Sequence, residues 1–128
     1  MEHRNTQSPL ARAIGLGSAK EGSGHWWAER VSAIALVPLT LWFAVALIAH
    51  TGSSHAAFIA WLKTPYVTVL MILLLIAAFH HTALGLQVVI EDYLHTWKKF
   101  TAVIAVRLGC VALAVAGIIA TLRIAFAG

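Results

Sequence analysis

The sequence predicts an all-α integral membrane protein with three transmembrane helices. Only 11% of the 128 residues are charged and 60% are hydrophobic, whereas soluble domains average about 25% charged residues. Residues 31–62 and 64–90 contain no Asp, Glu, Lys or Arg. Because about 20 apolar residues are enough for a helix to cross a bilayer, these stretches are long enough to be membrane spans.

The first span is expected from about residue 28 to residue 50. A polar arm rich in Gly and Ser, residues 1–24, precedes it. Trp26 and Trp27 mark the point where the chain enters the headgroup layer, which tryptophan favours. Pro38 lies in the middle of this helix, and we expect it to kink the helix there.

The second and third spans are predicted at residues 65–93 and 101–126. Residues 56–62, between the first two spans, are expected to form a short helix at the membrane interface. Pro65 suits the first turn of the second span, where its missing N–H is not needed. The chain thus divides into the arm and a three-helix anchor region, residues 25–128.

The basic residues predict the orientation of the chain in its membrane. Three spans place the N-terminal segment and the loop near residue 95 on one side, which carries six basic residues, and the other side carries two. The positive-inside rule therefore places the N-terminus in the cytoplasm and the C-terminus in the periplasm. Scattered basic residues at helix ends indicate contact with lipid headgroups and do not indicate nucleic acid. The six are Arg4, Arg12, Lys20, Arg30, Lys98 and Lys99, and the two are Lys63 and Arg123.

His81 is the main candidate for a functional residue. It lies deep in the second span, and an ionisable group at that depth is costly and usually marks a functional site. Two interpretations are open for it: a metal or haem ligand, or a histidine hydrogen-bonded across a helix interface. Its neighbour His80 competes for the ligand role but points 100° away around the helix, and we expect it to be a packing or hydrogen-bonding residue.

Gly85 and Asp92 lie within about 40° of His81 on one face of the second span. Gly85 removes a side chain where a flat ring would need room. Asp92 and Tyr93 stand where the span ends, about 16 Å along the axis from His81. Tyr93 can belong to the aromatic belt at the interface, with Asp92 paired to a nearby lysine. Alternatively, the two side chains can hydrogen-bond a quinone dissolved in the membrane.

A low-spin haem with two imidazole ligands would need a second histidine at the depth of His81. His25, His50, His55 and His95 lie near the predicted span boundaries, and apart from His80 on the same helix no other histidine is at that depth. Such a haem would therefore be shared with a partner subunit or a second copy. Arg30 can bind a haem propionate, pair with Glu29, or extend to lipid phosphate. Arg107, inside the third span, can likewise extend to the interface or pair with Asp92.

With these residues in place, the chain resembles the small hydrophobic membrane anchor (D-type) of succinate dehydrogenase, respiratory complex II. The pattern that carries the resemblance is H-x3-G-x6-DY, present as His81, Gly85, Asp92 and Tyr93 on the second of three spans. Chain length, span number and the arginine near the start of the first span agree with it. The resemblance covers nearly the whole chain from about residue 23.

The resemblance implies that His81 is an axial ligand of haem b iron, with Arg30 near the haem propionates and Tyr93 and Asp92 at the ubiquinone site. It implies three partners: a C-type cytochrome b anchor that supplies the other ligand and completes a heteromeric bundle, an iron–sulfur subunit and a flavoprotein. The chain would have no catalytic residue of its own. It would serve electron transfer from succinate to ubiquinone in the respiratory chain and tricarboxylic acid cycle, at the bacterial inner membrane.

Other functions remain open on the sequence. His81 and Asp92 could form a proton relay in a small transporter or channel subunit, although the chain has no internal repeat of the kind that transporters often contain. The chain could also anchor a fumarate reductase, or serve assembly alone.

Overall fold

The computed structural model describes residues 8–10 and 19–128. Within residues 19–128 the chain forms four helices, α1 (Ala19–Ala49), α2 (His55–Leu62), α3 (Pro65–Tyr93) and α4 (Trp97–Phe126). Three segments are long and apolar enough to cross a membrane: Ser23–Ala49, Pro65–Tyr93 and Trp97–Phe126. The predicted all-α fold with three membrane-spanning helices is confirmed.

Helix α1 begins nine residues before the start expected from the sequence. It starts at Ala19, so residues 19–24 of the predicted polar arm are helical. The polarity of these residues predicts that they leave the membrane, but Ala, Lys and Glu also favour helix. The helix continues through Pro38 without interruption. The remaining arm residues, 1–7 and 11–18, lie outside the described part of the chain.

Helix α3 is the central element, because it packs against α1 on one side and α4 on the other. In the described residues, α1 and α4 do not contact each other, so the three long helices form an open layer. Gly117 of α4 allows a close approach to α3, since a Cβ there would lie 3.1 Å from Cδ1 of Leu75. Small residues at helix interfaces serve this purpose in membranes.

The layer buries few side chains within the chain itself. In the described part, the buried residues are Ser32 on α1 and four on α3, namely Val67, Thr68, Leu74 and Leu84. Most large apolar side chains of the three spans face outward. A single helical layer with apolar faces on both sides is stable only against lipid or other protein subunits, because water would leave that surface unfavourably solvated.

Helix α2 closes the end of the layer opposite to Tyr93. The Ser54 side chain caps it by accepting a hydrogen bond from the backbone N–H of Ala57. Just after it, Lys63 Nζ donates to the carbonyl of Ala127 at 2.7 Å. The first loop and the C-terminus therefore meet at one end, as three antiparallel spans require.

Candidate functional site

His81 makes a hydrogen bond between two spans. Its Nδ1 lies 3.0 Å from Oγ of Ser32 on α1, and the Ser32 hydroxyl also lies 2.9 Å from the backbone carbonyl of Glu29. His81 is half-buried. The other ring nitrogen, Nε2, makes no hydrogen bond within the described residues and is not enclosed by the chain. One nitrogen of the imidazole is therefore held by α1, while the second nitrogen is available to a ligand.

Gly85 leaves open space one turn from His81 on the same helix. A Cβ built at Gly85 would meet no atom of the described chain within 4 Å. The space beside Gly85 is thus not filled by side chains of the described chain.

His80 differs from His81 in its surroundings. It is exposed and lines two shallow grooves, one of about 340 Å³ between α1 and α3 and one of about 380 Å³ between α3 and α4. Within the described part of the chain it makes no hydrogen bond. The hydrogen-bonding role expected for His80 is therefore not observed within the described part of the chain.

The remaining histidines of the described residues are not placed to complete a site with His81. His50 lies at the end of α1, where its Nδ1 contacts the carbonyl of Ala46 at 2.8 Å. His55 is the first residue of α2, and His95 lies in the loop between α3 and α4. His25 lies in α1 about two turns before Ser32, and its Nε2 is buried. Among the described residues no cluster of three or more His, Cys, Asp or Glu side chains could hold a metal ion.

Asp92 and Tyr93 end α3 as exposed side chains. Tyr93 is 80% exposed, and neither residue has a hydrogen-bond or ion-pair partner in the part of the chain that the structure describes. The expected alternative for Asp92, a pair with Lys98 or Lys99, is therefore not observed. Both polar groups remain available to a ligand or a partner subunit.

A hydrogen-bonded chain that the sequence did not predict joins α3 to α4 near this end. Nε and Nη2 of Arg107 donate to Oε1 of Gln87 at 3.2 and 2.7 Å. Nε2 of Gln87 donates in turn to Oε1 of Glu91 at 2.8 Å. Arg107 thus pairs with Gln87 rather than with Asp92. The signal in the sequence was a glutamine inside a span, four positions before a glutamate, a spacing that faces the two side chains together.

Arg30 lies on α1 only two residues from Ser32, a separation of about 3 Å along the helix axis. Its guanidinium lies 5.4 Å from the centre of the Trp26 ring, and its side chain is exposed. The structure shows no pair between Arg30 and Glu29 within the described residues. Because α1 starts at Ala19, Arg30 lies three turns inside the helix and close to the level of His81.

Comparison with known proteins matches the chain to one family. The family model described as succinate dehydrogenase/fumarate reductase transmembrane subunit matches residues 4–122. A succinate dehydrogenase hydrophobic membrane anchor subunit of Rickettsia bellii is 37% identical over 115 residues, covering 89% of this chain and 92% of the relative. The corresponding subunit of Paracoccus denitrificans is 34% identical over 97 residues, covering 76% and 75%. No solved structure matches the chain.

The family match spans most of the chain, and the relatives share its length. The structure independently shows three helices that are long and apolar enough to cross a membrane. The chain therefore belongs to the succinate dehydrogenase/fumarate reductase transmembrane subunit family and, within it, is a succinate dehydrogenase membrane anchor subunit.

Proposed function

We propose that this anchor offers His81 as one axial ligand of a haem b and forms part of a quinone-reduction site. The observation that carries the proposal is the geometry around His81. Its Nδ1 is held by Ser32, its Nε2 is accessible, and Gly85 leaves open space on the same face. This arrangement fits an imidazole that binds iron through Nε2.

A bound haem would supply a one-electron redox centre inside the membrane. The chain's own residues would hold it in three ways. His81 would give the iron its Nε2 lone pair, Gly85 would leave room for the ring, and Arg30 would offer a positive charge to a propionate. The exposed guanidinium of Arg30, close to the level of His81, supports the last assignment.

The second axial ligand would come from a companion cytochrome b anchor of the C type. Two observations support a shared site. The other histidines of the described chain lie at helix ends or in a loop, are partly enclosed, or share α3 with His81. In addition, the open layer of α1, α3 and α4 leaves wide apolar faces, which a companion helical subunit would cover.

Tyr93 and Asp92 would form this chain's part of the ubiquinone site. The phenol would donate a hydrogen bond to a quinone carbonyl, and Asp92 would orient the ligand or deliver protons as it is reduced. Their exposure at the end of α3 and their lack of partners within the described residues support this role. A quinone moving in the bilayer could reach both groups from the side.

In the complete complex, a flavoprotein would oxidise succinate and an iron–sulfur subunit would pass the electrons to quinone at the membrane. This chain would bind those subunits, the companion anchor and lipid, and would not catalyse succinate oxidation itself. We place it in the bacterial inner membrane with the N-terminus in the cytoplasm, because six of its basic residues lie on that side. The C-terminus would then be periplasmic.

Purification of the tagged chain in mild detergent tests the assignment. We expect a flavoprotein, an iron–sulfur protein and a second membrane anchor to co-purify in equal amounts. The preparation should reduce a ubiquinone analogue with succinate as the electron donor. An isolated chain, or a complex without flavin, would contradict the proposal. Faster fumarate reduction than succinate oxidation in the same preparation would instead favour a fumarate reductase anchor.

The proton-relay alternative needs polar groups between His81 and Asp92. Along that face the intervening residues are Gly85 and Val88, which carry no polar side chain. The hydrogen bond of His81 leads to Ser32 and a backbone carbonyl, not toward Asp92. The described chain therefore offers no relay between the two ionisable groups.

A further inference from the structure

We infer that Ser32 is a positioning residue that selects the tautomer of His81 and thereby tunes the haem. The inference rests on the proposed haem-binding function and extends it to a residue on a different helix. Ser32 is 5% exposed, at the contact between α1 and α3. It is the polar side chain within hydrogen-bond distance of the His81 ring in the described structure.

The positions of the protons follow from the hydrogen-bonding capacity of each group. The Ser32 hydroxyl has one proton, and two groups lie near it, the Glu29 carbonyl at 2.9 Å and His81 Nδ1 at 3.0 Å. A carbonyl oxygen only accepts hydrogen bonds, so the hydroxyl proton goes to Glu29. The hydroxyl oxygen then accepts a hydrogen bond from His81, whose proton must be on Nδ1. This satisfies all three groups and leaves the lone pair on Nε2.

The opposite tautomer would remove the hydrogen bond from Ser32 to the Glu29 carbonyl. With the proton on Nε2, His81 Nδ1 could only accept a hydrogen bond. The Ser32 hydroxyl would then donate its proton to His81 and no longer to the Glu29 carbonyl. Moreover, an Nε2 that carries a proton cannot bind iron. Ser32 therefore favours the one neutral form of the ring that can act as a ligand through its accessible nitrogen. Partners of this kind commonly orient metal-binding histidines.

Burial makes the arrangement rigid. The Glu29 carbonyl belongs to the backbone of α1, so Ser32 is held by its own helix and in turn holds a ring on α3. An imidazole that donates a hydrogen bond from Nδ1 is a stronger electron donor through Nε2. A stronger donor stabilises ferric over ferrous iron, so Ser32 should lower the midpoint potential of the haem, which responds to such hydrogen bonding.

The test compares Ser32→Ala and Ser32→Thr in the complete complex, with Thr40→Ala as the matched control. Thr40 lies on the same helix, but its hydroxyl donates to the carbonyl of Leu36 at 2.6 Å and contacts no histidine. We expect Ser32→Ala to keep a low-spin haem whose midpoint potential is raised by up to about 59 mV, equivalent to a tenfold change for one electron. We expect the haem in the Ser32→Thr and Thr40→Ala complexes to have the same midpoint potential as in the unsubstituted complex. A Ser32→Ala haem with unchanged potential would overturn the inference.

A second measurement needs no haem and no Ser32 variant. In the full chain labelled with ¹⁵N-histidine, side-chain nitrogen shifts distinguish a protonated from an unprotonated ring nitrogen, and a His81→Ala sample assigns the signal. We expect the proton on Nδ1 of His81, and a proton on Nε2 would overturn the inference. If the Ser32→Ala complex fails to assemble, this measurement still tests whether Ser32 selects the tautomer of His81.

The two proposals fail in different ways. If His81→Ala keeps its low-spin haem, the proposed ligand is wrong whatever Ser32 does. If His81→Ala loses the haem but Ser32→Ala leaves the potential unchanged, only the role of Ser32 is wrong.

Discussion

Arg107 of α4 donates from two guanidinium nitrogens to a single oxygen of Gln87 on α3, at 3.2 and 2.7 Å. The charged side chain of the third span therefore contacts the neighbouring helix α3. Gln87 in turn donates a hydrogen bond to Glu91. Within a bilayer, such a contact replaces hydration that the guanidinium cannot obtain from lipid. We expect the pair to stabilise the α3–α4 contact.

A double-mutant cycle measures that contribution. Removing either partner, with Gln87→Leu or Arg107→Leu, should lower the thermal unfolding temperature of the purified complex. The double variant should lose less stability than the two single variants lose together. We expect the difference to be about 0.6 to 2 kcal/mol, because interhelical hydrogen bonds in membranes are of that size. Additive losses would show that the two side chains do not interact.

Replacing Tyr93 by Phe should lower quinone reduction without affecting assembly. The side chain is 80% exposed and its hydroxyl has no partner in the described chain, so the fold does not depend on it. Loss of one hydrogen bond to the quinone should reduce succinate–quinone turnover about threefold to tenfold. Succinate oxidation with a water-soluble acceptor should be unchanged.

The chain offers a matched control, because its other tyrosine, Tyr66, is also exposed but lies at the opposite end of α3. Tyr66→Phe should leave quinone turnover as it was. Equal turnover in both variants would remove Tyr93 from the proposed site.

Enlarging Gly85 should expel the haem while leaving the chain folded. The Cβ of a new side chain would meet nothing within 4 Å in the described chain, and Leu favours helix over Gly by up to about 1 kcal/mol. Gly85→Leu should therefore assemble but show a low haem-to-protein ratio. Gly109→Leu, at a glycine of α4 with equally open surroundings, is the control. Full haem content in Gly85→Leu would contradict the placement of the haem on this face.

The backbone of Thr96 is strained, and we expect replacement by glycine to increase the stability of the chain. Its φ of 64° with ψ of −148° lies in a region that is essentially reserved for glycine, and such residues carry about 1–3 kcal/mol of strain. After the larger freedom of glycine in the unfolded chain is subtracted, Thr96→Gly should raise stability by about 1 kcal/mol. Thr96→Ala should gain little, because alanine also has a Cβ. Equal unfolding temperatures for the two variants would argue against strain at this turn.

The spans and the residues of the proposed site could be predicted from the sequence, because both depend on position along the chain. Long apolar stretches predict three spans, and helical spacing places His81, Gly85 and Asp92 on one face. The ends of α3 were predicted at the residues where the structure has them. The starts of α1 and α4 were not: α4 begins at Trp97 rather than at residue 101. Polarity indicates where a helix leaves the membrane and not where the helix itself begins or ends.

The partners of these residues could not be predicted, because they depend on how the helices rotate against one another. Serine is common in membrane spans, and nothing in its neighbourhood singles out Ser32 before α1 is packed on α3. The pair between Arg107 and Gln87 similarly requires the relative height of α3 and α4. In both cases the sequence supplied the polar group, and the packing of the helices selected its partner.

The adjacent histidines allow the most direct test of the haem assignment. The measurement is the reduced-minus-oxidised optical spectrum of complexes that carry His81→Ala or His80→Ala, each purified with its partner subunits. We predict that the low-spin b-type signal is lost in His81→Ala and retained in His80→Ala, since the ring of His81 alone is held by Ser32 with its Nε2 accessible. An intact b-type signal in His81→Ala would contradict the account.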